Sequence, residues 1–338
     1  MASSSSSEFK QFDVVPNAVN DNFFNHELPR PRPSPSPSLY KKIMQEWRIL
    51  EKNLPDSIFV RVSETNIDFL RAAIVGAAGT PYHDALFCFD LYFPPDNPYR
   101  PPRLHFDSHG RRLNPNLYDS GAVCLSLLNT WSGKKSERWN PNESTVLQVL
   151  VSIQALVLNA KPYFNEPGVS FYGNSERNSR AYNENAFLLT WKTTQLVVRR
   201  PPTCFEELAV GHFRGRVASV LGAFWTYAEG RVRVGEWNVS GRRRRPERPV
   251  KCRAVLIPLA AVYKDLVPEF KARGISVEGF AEVLEVETTA SGLWGNEGDV
   301  GAEEGHVGAE KKMEEEAEKN AYLIGWIGYE NANGEGVV

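Results

Sequence analysis

From residue 39 the chain carries a helical period. Leu39, Ile43, Trp47 and Leu50 recur at three- and four-residue spacing, with Lys41, Lys42 and Lys52 outside the stripe, until Asn53-Leu54-Pro55 stops it. A two-residue period then takes over and predicts strands over 58–62 and 67–75 and, after a turn at 76–84, over 86–93. In that third strand Phe87, Phe89, Leu91 and Phe93 share one face, and Cys88 lies on the other as a structural residue. The prolines of 93–102 remove ladder donors, so this stretch is irregular before a short fourth strand at 104–106. Residues 145–158 are apolar nearly all round, which predicts a buried helix. A loop at 161–168 leads to a helix over 176–198 with Tyr182, Ala186, Leu189, Thr193 and Leu196 inward, ended by Arg199-Arg200-Pro201-Pro202. Beyond it Phe205, Leu208, Phe213, Val217, Leu221 and Phe224 mark a helix to about 229, capped by Gly230, and a second helix runs from 258 to 273 with a bend at Pro268. The pattern is α+β: a first helix, a four-stranded antiparallel meander, later helices and an appended helical extension.

Composition narrows the classes. The 338 residues, 42% hydrophobic and 24% charged, can bury a substantial core and hold two units. A net charge of −2 does not point to nucleic acid. Cys88, Cys124, Cys204 and Cys252 are widely spaced with no Cys-x-x-Cys pair, which argues for a reducing compartment and against both disulfides and a metal site. Residues 1–7 are a serine tract without the apolar region of a signal peptide. The longest apolar run, 146–158, is interrupted by Gln148, Ser152 and Gln154, well short of the ~20 residues of a membrane span. A soluble intracellular protein is expected, cytoplasmic or nuclear. Residues 1–38 read as a disordered leader with an apolar island at 9–15 and a proline-serine linker at 29–37. The island could also dock as a strand. Residues 281–338 read as a Gly/Glu-rich, mostly disordered tail with an apolar patch at 322–327. The run Arg242–Arg245 reads as a solvated loop, with nuclear import or acidic docking as alternatives.

One stretch, 111–131, gathers candidate chemistry. It holds an Asn114-Pro115-Asn116 turn, an Asp119-Ser120-Gly121 bend, and Cys124 followed by Leu125, Leu127 and Leu128. A proline-fixed turn beside a thiol would display a reactive cysteine, whereas a lone cysteine in apolar company is otherwise inert. Asn116 and Cys124 stand eight apart. The segment resembles the active-site segment of ubiquitin-conjugating enzymes, in which a His-Pro-Asn turn precedes the catalytic cysteine at that spacing. Asn114 departs from the histidine, and the Asn-Pro-Asn-Leu-Tyr form resembles the extended plant and animal branch of the family. Gly79-Thr80-Pro81-Tyr82, the proline-rich 93–102, Trp139-Asn140-Pro141 and the order of elements are similar to family signatures as well, with a polar insertion at 132–138. The resemblance implies a ubiquitin-conjugating-enzyme-like fold, with a catalytic core over 39–200 and a helical extension over 203–280.

It also implies roles. Cys124 would carry ubiquitin as a thioester. The thiolate is the nucleophile, and a free thiol near pKa ~8.5 is ionised enough for exchange with another thioester. Lysine attack is harder, since an amine ~3 units below its pKa carries a penalty of ~4–5 kcal/mol. Asn116 fits oxyanion stabilisation, or a brace for the turn, or both. Glu166, an acid before Pro167, would orient the lysine, and Asn114 would support the turn. Where some members carry an acid two residues after the cysteine, this chain has Ser126. Lys41, Lys42, Pro98, Tyr99, Trp139 and Pro141 match the family's docking surface. The implied partners are ubiquitin, an activating enzyme that spends the ATP, and a ligase or direct substrate; no cofactor is bound. Two other readings compete: an inactive adaptor of the same fold, and a cysteine hydrolase with His105 or His109 as base.

Overall fold

The computed structural model describes residues 9–16, 21–29, 34–97, 99–131, 133–169, 175–228, 230–236 and 253–278. Its centre is a five-stranded sheet in sequence order: β1 (Phe12–Val15), β2 (Ile58–Ser63), β3 (Phe69–Val75), β4 (Leu86–Tyr92) and β5 (Arg103–Phe106). Strands β2 to β5 are the expected antiparallel meander, and β1 adds a parallel edge.

That edge strand is the docking strand offered for the island at 9–15, in place of disorder there. Phe9 packs edge-on against Phe59, Phe12 against Trp47, and the Val60 N–H donates to the Gln11 carbonyl at 2.6 Å. Further on, Asn22 caps a short helix α1 (Phe23–Glu27), its Oδ1 accepting the Phe24 N–H at 3.0 Å. Phe24 is buried against Phe69 and Tyr92. Two apolar islands place residues 9–16 and 21–29, because each packs an aromatic ring on the sheet.

The leader explains why the strands lack the usual alternation of an antiparallel sheet with one wet face. All of β4 is buried. Phe87, Phe89 and Leu91 face the main core, whereas Asp90 and Tyr92 face the leader. There Arg71 bonds Asp90 (Nε to Oδ1, 2.6 Å) and Asp21 (Nη1 to Oδ1, 2.7 Å). Burial alone would lower the Arg71 pKa, but the two carboxylates outweigh it and hold the guanidinium charged.

Helix α2 (Pro37–Asn53) starts where Ser36 accepts the Leu39 N–H at 3.2 Å, with Pro37 in its first turn, and it buries Leu39, Ile43 and Leu50 as its period requires. Buried Glu46 reaches across to accept the Val146 N–H at 3.0 Å, at the start of α3 (Val146–Ser152). Thr145 and Gln148 complete a capping box there, and a π-helical turn, Ile153–Val157, continues the rod. Contrary to expectation it is not buried all round: Val151 and Leu156 are exposed, since only one side meets the core.

Helices α4 (Ser175–Arg199), α5 (Glu206–Ala228) and α6 (Arg253–Ala272) follow. On α4 Ala186 and Thr193 are buried as expected, but Phe187, Thr190, Trp191 and Thr194 join them inward, and Tyr182, Leu189 and Leu196 are only half-buried. Phe187 meets Phe224 at 5.0 Å, Trp191 meets Phe213 at 6.3 Å, and Phe213 meets Phe270 at 5.6 Å. The extension therefore shares a core with α4 instead of beginning a separate unit at 203. Residues 166–175 and 278–338 form a second unit, described at the bend of 166–169, at Ser175 and at Glu278. The runs 242–245 and 322–327, Cys252 and most of the predicted tail lie outside the described residues. Among the described residues no helix is long and apolar enough to cross a membrane.

Candidate active site

Cys124 sits on an irregular segment held by its own backbone. The Cys124 N–H donates to the Asn116 carbonyl at 2.9 Å, and Asn116 Nδ2 donates back to the Cys124 carbonyl at 3.0 Å. Single bridges pair Leu117 with Asn114 and with Val123. Thr130 Oγ1 accepts the Leu125 N–H at 3.0 Å and donates to the Val123 carbonyl at 2.7 Å, clamping the cysteine from its other side. Val123 and Leu125 are buried, while Cys124 and Ser126 are half-exposed. The apolar neighbours anchor the segment and turn the thiol toward solvent.

Asn114 is wholly buried and spends its amide completely. Its Nδ2 donates to Tyr82 Oη and to the Val157 carbonyl, both at 2.8 Å. Its Oδ1 accepts the Asn116 N–H at 2.9 Å and Asn165 Nδ2 at 3.2 Å. Tyr82 in turn donates to the Leu113 carbonyl at 3.0 Å, and burial pushes its phenol well up, so the hydroxyl stays a donor. Tyr82, Thr130 and Asn165 went unassigned in the sequence reading. Tyr82 carried a signal, the Thr-Pro-Tyr turn; Thr130 and Asn165 carried none.

The turn bearing Tyr82 is fixed from beyond the core. Any side chain at Gly76 would strike the Tyr82 carbonyl, and Asp84 holds a left-handed φ of 63°. His83 Nδ1 donates to Asp84 Oδ2 at 3.1 Å, leaving Nε2 to accept the Tyr227 hydroxyl at 3.0 Å. From the same helix α5, Ser219 Oγ donates to Asp84 Oδ2 at 3.1 Å, and His212 Nε2 donates to the Asp84 carbonyl at 2.8 Å. Burial pushes the Asp84 carboxyl up, but the bonds from His83 and Ser219 and the nearby Arg216 outweigh it and hold it below its ordinary value.

A family model described as "Ubiquitin-conjugating enzyme" matches residues 42–189. Among Arabidopsis thaliana proteins, the chain is 42% identical over 280 residues to "Putative ubiquitin-conjugating enzyme E2 39", covering 78% of this chain and 83% of that one. The chain belongs to the ubiquitin-conjugating enzyme family. It is also 47% identical over 271 residues to "Probable ubiquitin-conjugating enzyme E2 24" and 51% identical over 225 residues to "Probable ubiquitin-conjugating enzyme E2 25". Those matches cover 79% and 66% of this chain, but only 29% and 37% of these two longer relatives.

The remaining sequence-predicted residues separate. Tyr99 is 80% exposed and Lys41 is exposed, as docking groups need to be; Pro141 is half-buried. Lys42 is not open in this way: its Nζ pairs with buried Glu46 at 2.9 Å. Trp139 is 8% exposed, so its ring is a core group and not a docking one. Pro98 lies outside the described residues. Glu166 follows Asn165 at a bend, half-buried. His105 stacks flat on Phe23 at 3.6 Å, and burial pushes its pKa down. His109 faces Asp107 at 3.5 Å.

Proposed function

We propose that the chain accepts ubiquitin from an activating enzyme as a thioester on Cys124 and passes it to a substrate lysine, with or without a ligase. The observation that carries this reading is the reciprocal bonding of Asn116 and Cys124 around a half-exposed thiol. An adaptor would have no use for that accessibility. In charging, the Cys124 thiolate attacks the incoming thioester and the donor cysteine leaves as a thiolate. In discharge, the amine attacks the thioester carbonyl, a C–N bond forms, and Cys124 departs with the C–S electron pair. One Asn116 amide N–H is spent on the Cys124 carbonyl, and the second remains to meet the oxyanion of that step. Asn114, with no bond to spare, supports the turn that aims it.

Glu166, in the bend after the residue that bonds Asn114, is assigned the orienting of the lysine. Lys41, Tyr99 and Pro141 are assigned to docking of activating enzyme and ligase, in the cytoplasm or nucleus. ATP is spent by the activating enzyme, and this chain binds no cofactor of its own. The test is incubation with activating enzyme, ATP and ubiquitin. A band at the mass of the conjugate that disappears on adding reductant is the expected result, and its absence would overturn the proposal.

A further inference from the structure

We propose that the appended helix α5 serves the transfer step: Tyr227 is a positioning residue that acts through His83, Asp84 and Tyr82 on the aim of Asn116. The inference rests on the conjugating reading above and deepens its second step.

Asn116 does not aim itself. Its Oδ1 is buried with no hydrogen-bond partner among the described residues, and one of its amide N–H groups is spent on the Cys124 carbonyl. Its backbone is fixed by Asn114, whose Oδ1 accepts the Asn116 N–H at 2.9 Å. Asn114 in turn leans on Tyr82 Oη at 2.8 Å. The position of that phenol is therefore part of the geometry that presents the amide.

Tyr82 stands in a turn of costly shape. Asp84 holds its left-handed φ of 63°, a conformation that an aspartate keeps only when its surroundings impose it. The Asp84 N–H donates to the Gly76 carbonyl at 3.1 Å, and the Ala85 N–H donates to the Tyr82 carbonyl at 3.3 Å. That carbonyl lies so close to Gly76 that no side chain fits there, so the backbone of Tyr82 cannot move alone. The remaining grip comes from α5. Ser219, Arg216 and His212 hold Asp84, and Tyr227 holds His83, which is 1% exposed.

Tyr227 has a particular place in that grip. Its hydroxyl donates to His83 Nε2, so the imidazole keeps its proton on Nδ1 and gives it to Asp84 Oδ2. The same oxygen accepts the Gly235 N–H at 3.2 Å, and the ring stands edge-on to Phe187 with centroids 5.0 Å apart. The hydroxyl is thus a fixed post. Without it a buried acceptor is left unpaired, and the imidazole shifts to satisfy it, loosening its bond to Asp84. As Asp84 relaxes, the backbone of Tyr82 moves, and the phenol, Asn114 and Asn116 follow in order. A donor for a developing oxyanion feels shifts far smaller than those that unfold a chain. Thiol exchange does not call on that donor, so the effect is confined to attack by an amine.

The experiment loads the full chain with ubiquitin, isolates the thioester, and follows single-turnover discharge to free lysine and to free cysteine. Tyr227→Phe keeps the ring and removes only the hydroxyl. It is expected to slow lysine discharge about tenfold, with charging and cysteine discharge at wild-type rates. In an Asn116→Ala background the same substitution should cost nothing further, because the group it aims is gone. Ser219→Ala, which removes the other α5 donor on Asp84 Oδ2, should slow lysine discharge about threefold with the same selectivity, and it carries the test if Tyr227→Phe does not fold. Phe270→Leu loosens the packing of α6 on Phe213 away from the turn, so it should lower stability and leave lysine discharge unchanged. Wild-type lysine discharge in the α5 variants, equal loss toward both acceptors, or an undiminished loss in the Asn116→Ala background would overturn the assignment while the thioester still forms. Slow lysine discharge by Phe270→Leu would overturn it too, by reducing Tyr227 to general support of the fold. A wild-type chain that never forms the thioester would instead overturn the conjugating reading, and this inference with it.

Discussion

The two flanks of Cys124 are built on opposite principles. On one side, the Asn114-Pro115-Asn116 turn is buried and Asn114 is saturated: it makes four hydrogen bonds, to Tyr82, Val157, Asn116 and Asn165. On the other, the loop from Ser126 to Glu137 is mostly exposed and held by a few backbone bonds and one missing side chain. In the proposed mechanism, developing charge is met by donors that do not move, and these come from the rigid flank. The proposed amine acceptor needs access, and the open flank leaves it. On that proposal both flanks serve one thiol, and the largest expected effect comes from removing it. Cys124→Ala should abolish charging, and Cys124→Ser should give a slower ester that survives reductant. Burial pushes the Cys88 thiol well up and the Cys204 thiol to about 11, so Cys88→Ala and Cys204→Ala should still charge. Loss of charging in either of those variants, with Cys124→Ala still active, would move the site.

Next in size is Asn116→Ala, which separates the rigid flank's two tasks. Thiol exchange expels a good leaving group, whereas amine attack builds an oxyanion that lasts. The variant should charge normally and discharge to lysine ~10²–10³ more slowly, a loss of about 3–4 kcal/mol. Equal loss in both steps would make Asn116 a brace alone. Asn114→Ala should behave differently again. It strands the buried Asn116 N–H and removes a donor from the Tyr82 oxygen and from the Val157 carbonyl, which keeps the Asn165 amide, so chemical denaturation should show about 1–3 kcal/mol of lost stability. If Asn114→Ala is as stable as wild type, the saturated flank is not what holds the turn.

Much of this was legible from the sequence. The period along 39–53 and the alternation of 86–93 gave helix and strand because each face had one kind of neighbour. The spacing of Asn116 and Cys124 pointed to a candidate site, and the two do bond each other because both lie on one local segment. What could not be read depended on distant partners. The Leu39 stripe says nothing of Glu46 reaching Val146, nor of Lys42 being tied to Glu46. Trp139 was placed on the docking surface by family resemblance, yet its large ring is buried as a core residue. The leader's order required knowing that Arg71 and Asp90 present a polar face for Asp21 to close.

The smallest expected effect concerns how the rigid flank is tied to the appended helices, and it is carried by pH. His212 and Asp84 meet where α5 reaches the turn that carries Tyr82. Burial pushes the His212 pKa down, although its bond to the Asp84 carbonyl and the Asp84 charge act in the opposite sense. An unfolded histidine, near ~6.5, therefore binds a proton before the folded one does. Its contribution is whole above that value and drains as pH falls through the folded pKa. The Asp84 carboxyl is also held low, by His83, Ser219 and Arg216 against its own burial. Its contribution is whole above the unfolded value of ~3.9 and is lost as pH falls through the lower folded one. The two losses occupy separate windows. His212→Gln keeps a side-chain N–H for the carbonyl and removes the upper window, so its stability relative to wild type should improve as pH falls below about 6.5. Asp84→Asn should cost about 1–2 kcal/mol at neutral pH through its charge-assisted bonds and converge on wild type only below about pH 4. Denaturant unfolding across this range, each variant against wild type, separates the windows. A His212→Gln difference that does not vary between pH 7 and 5 would mean that α5 is fastened to the turn by packing of its aromatic rings and not by this polar contact.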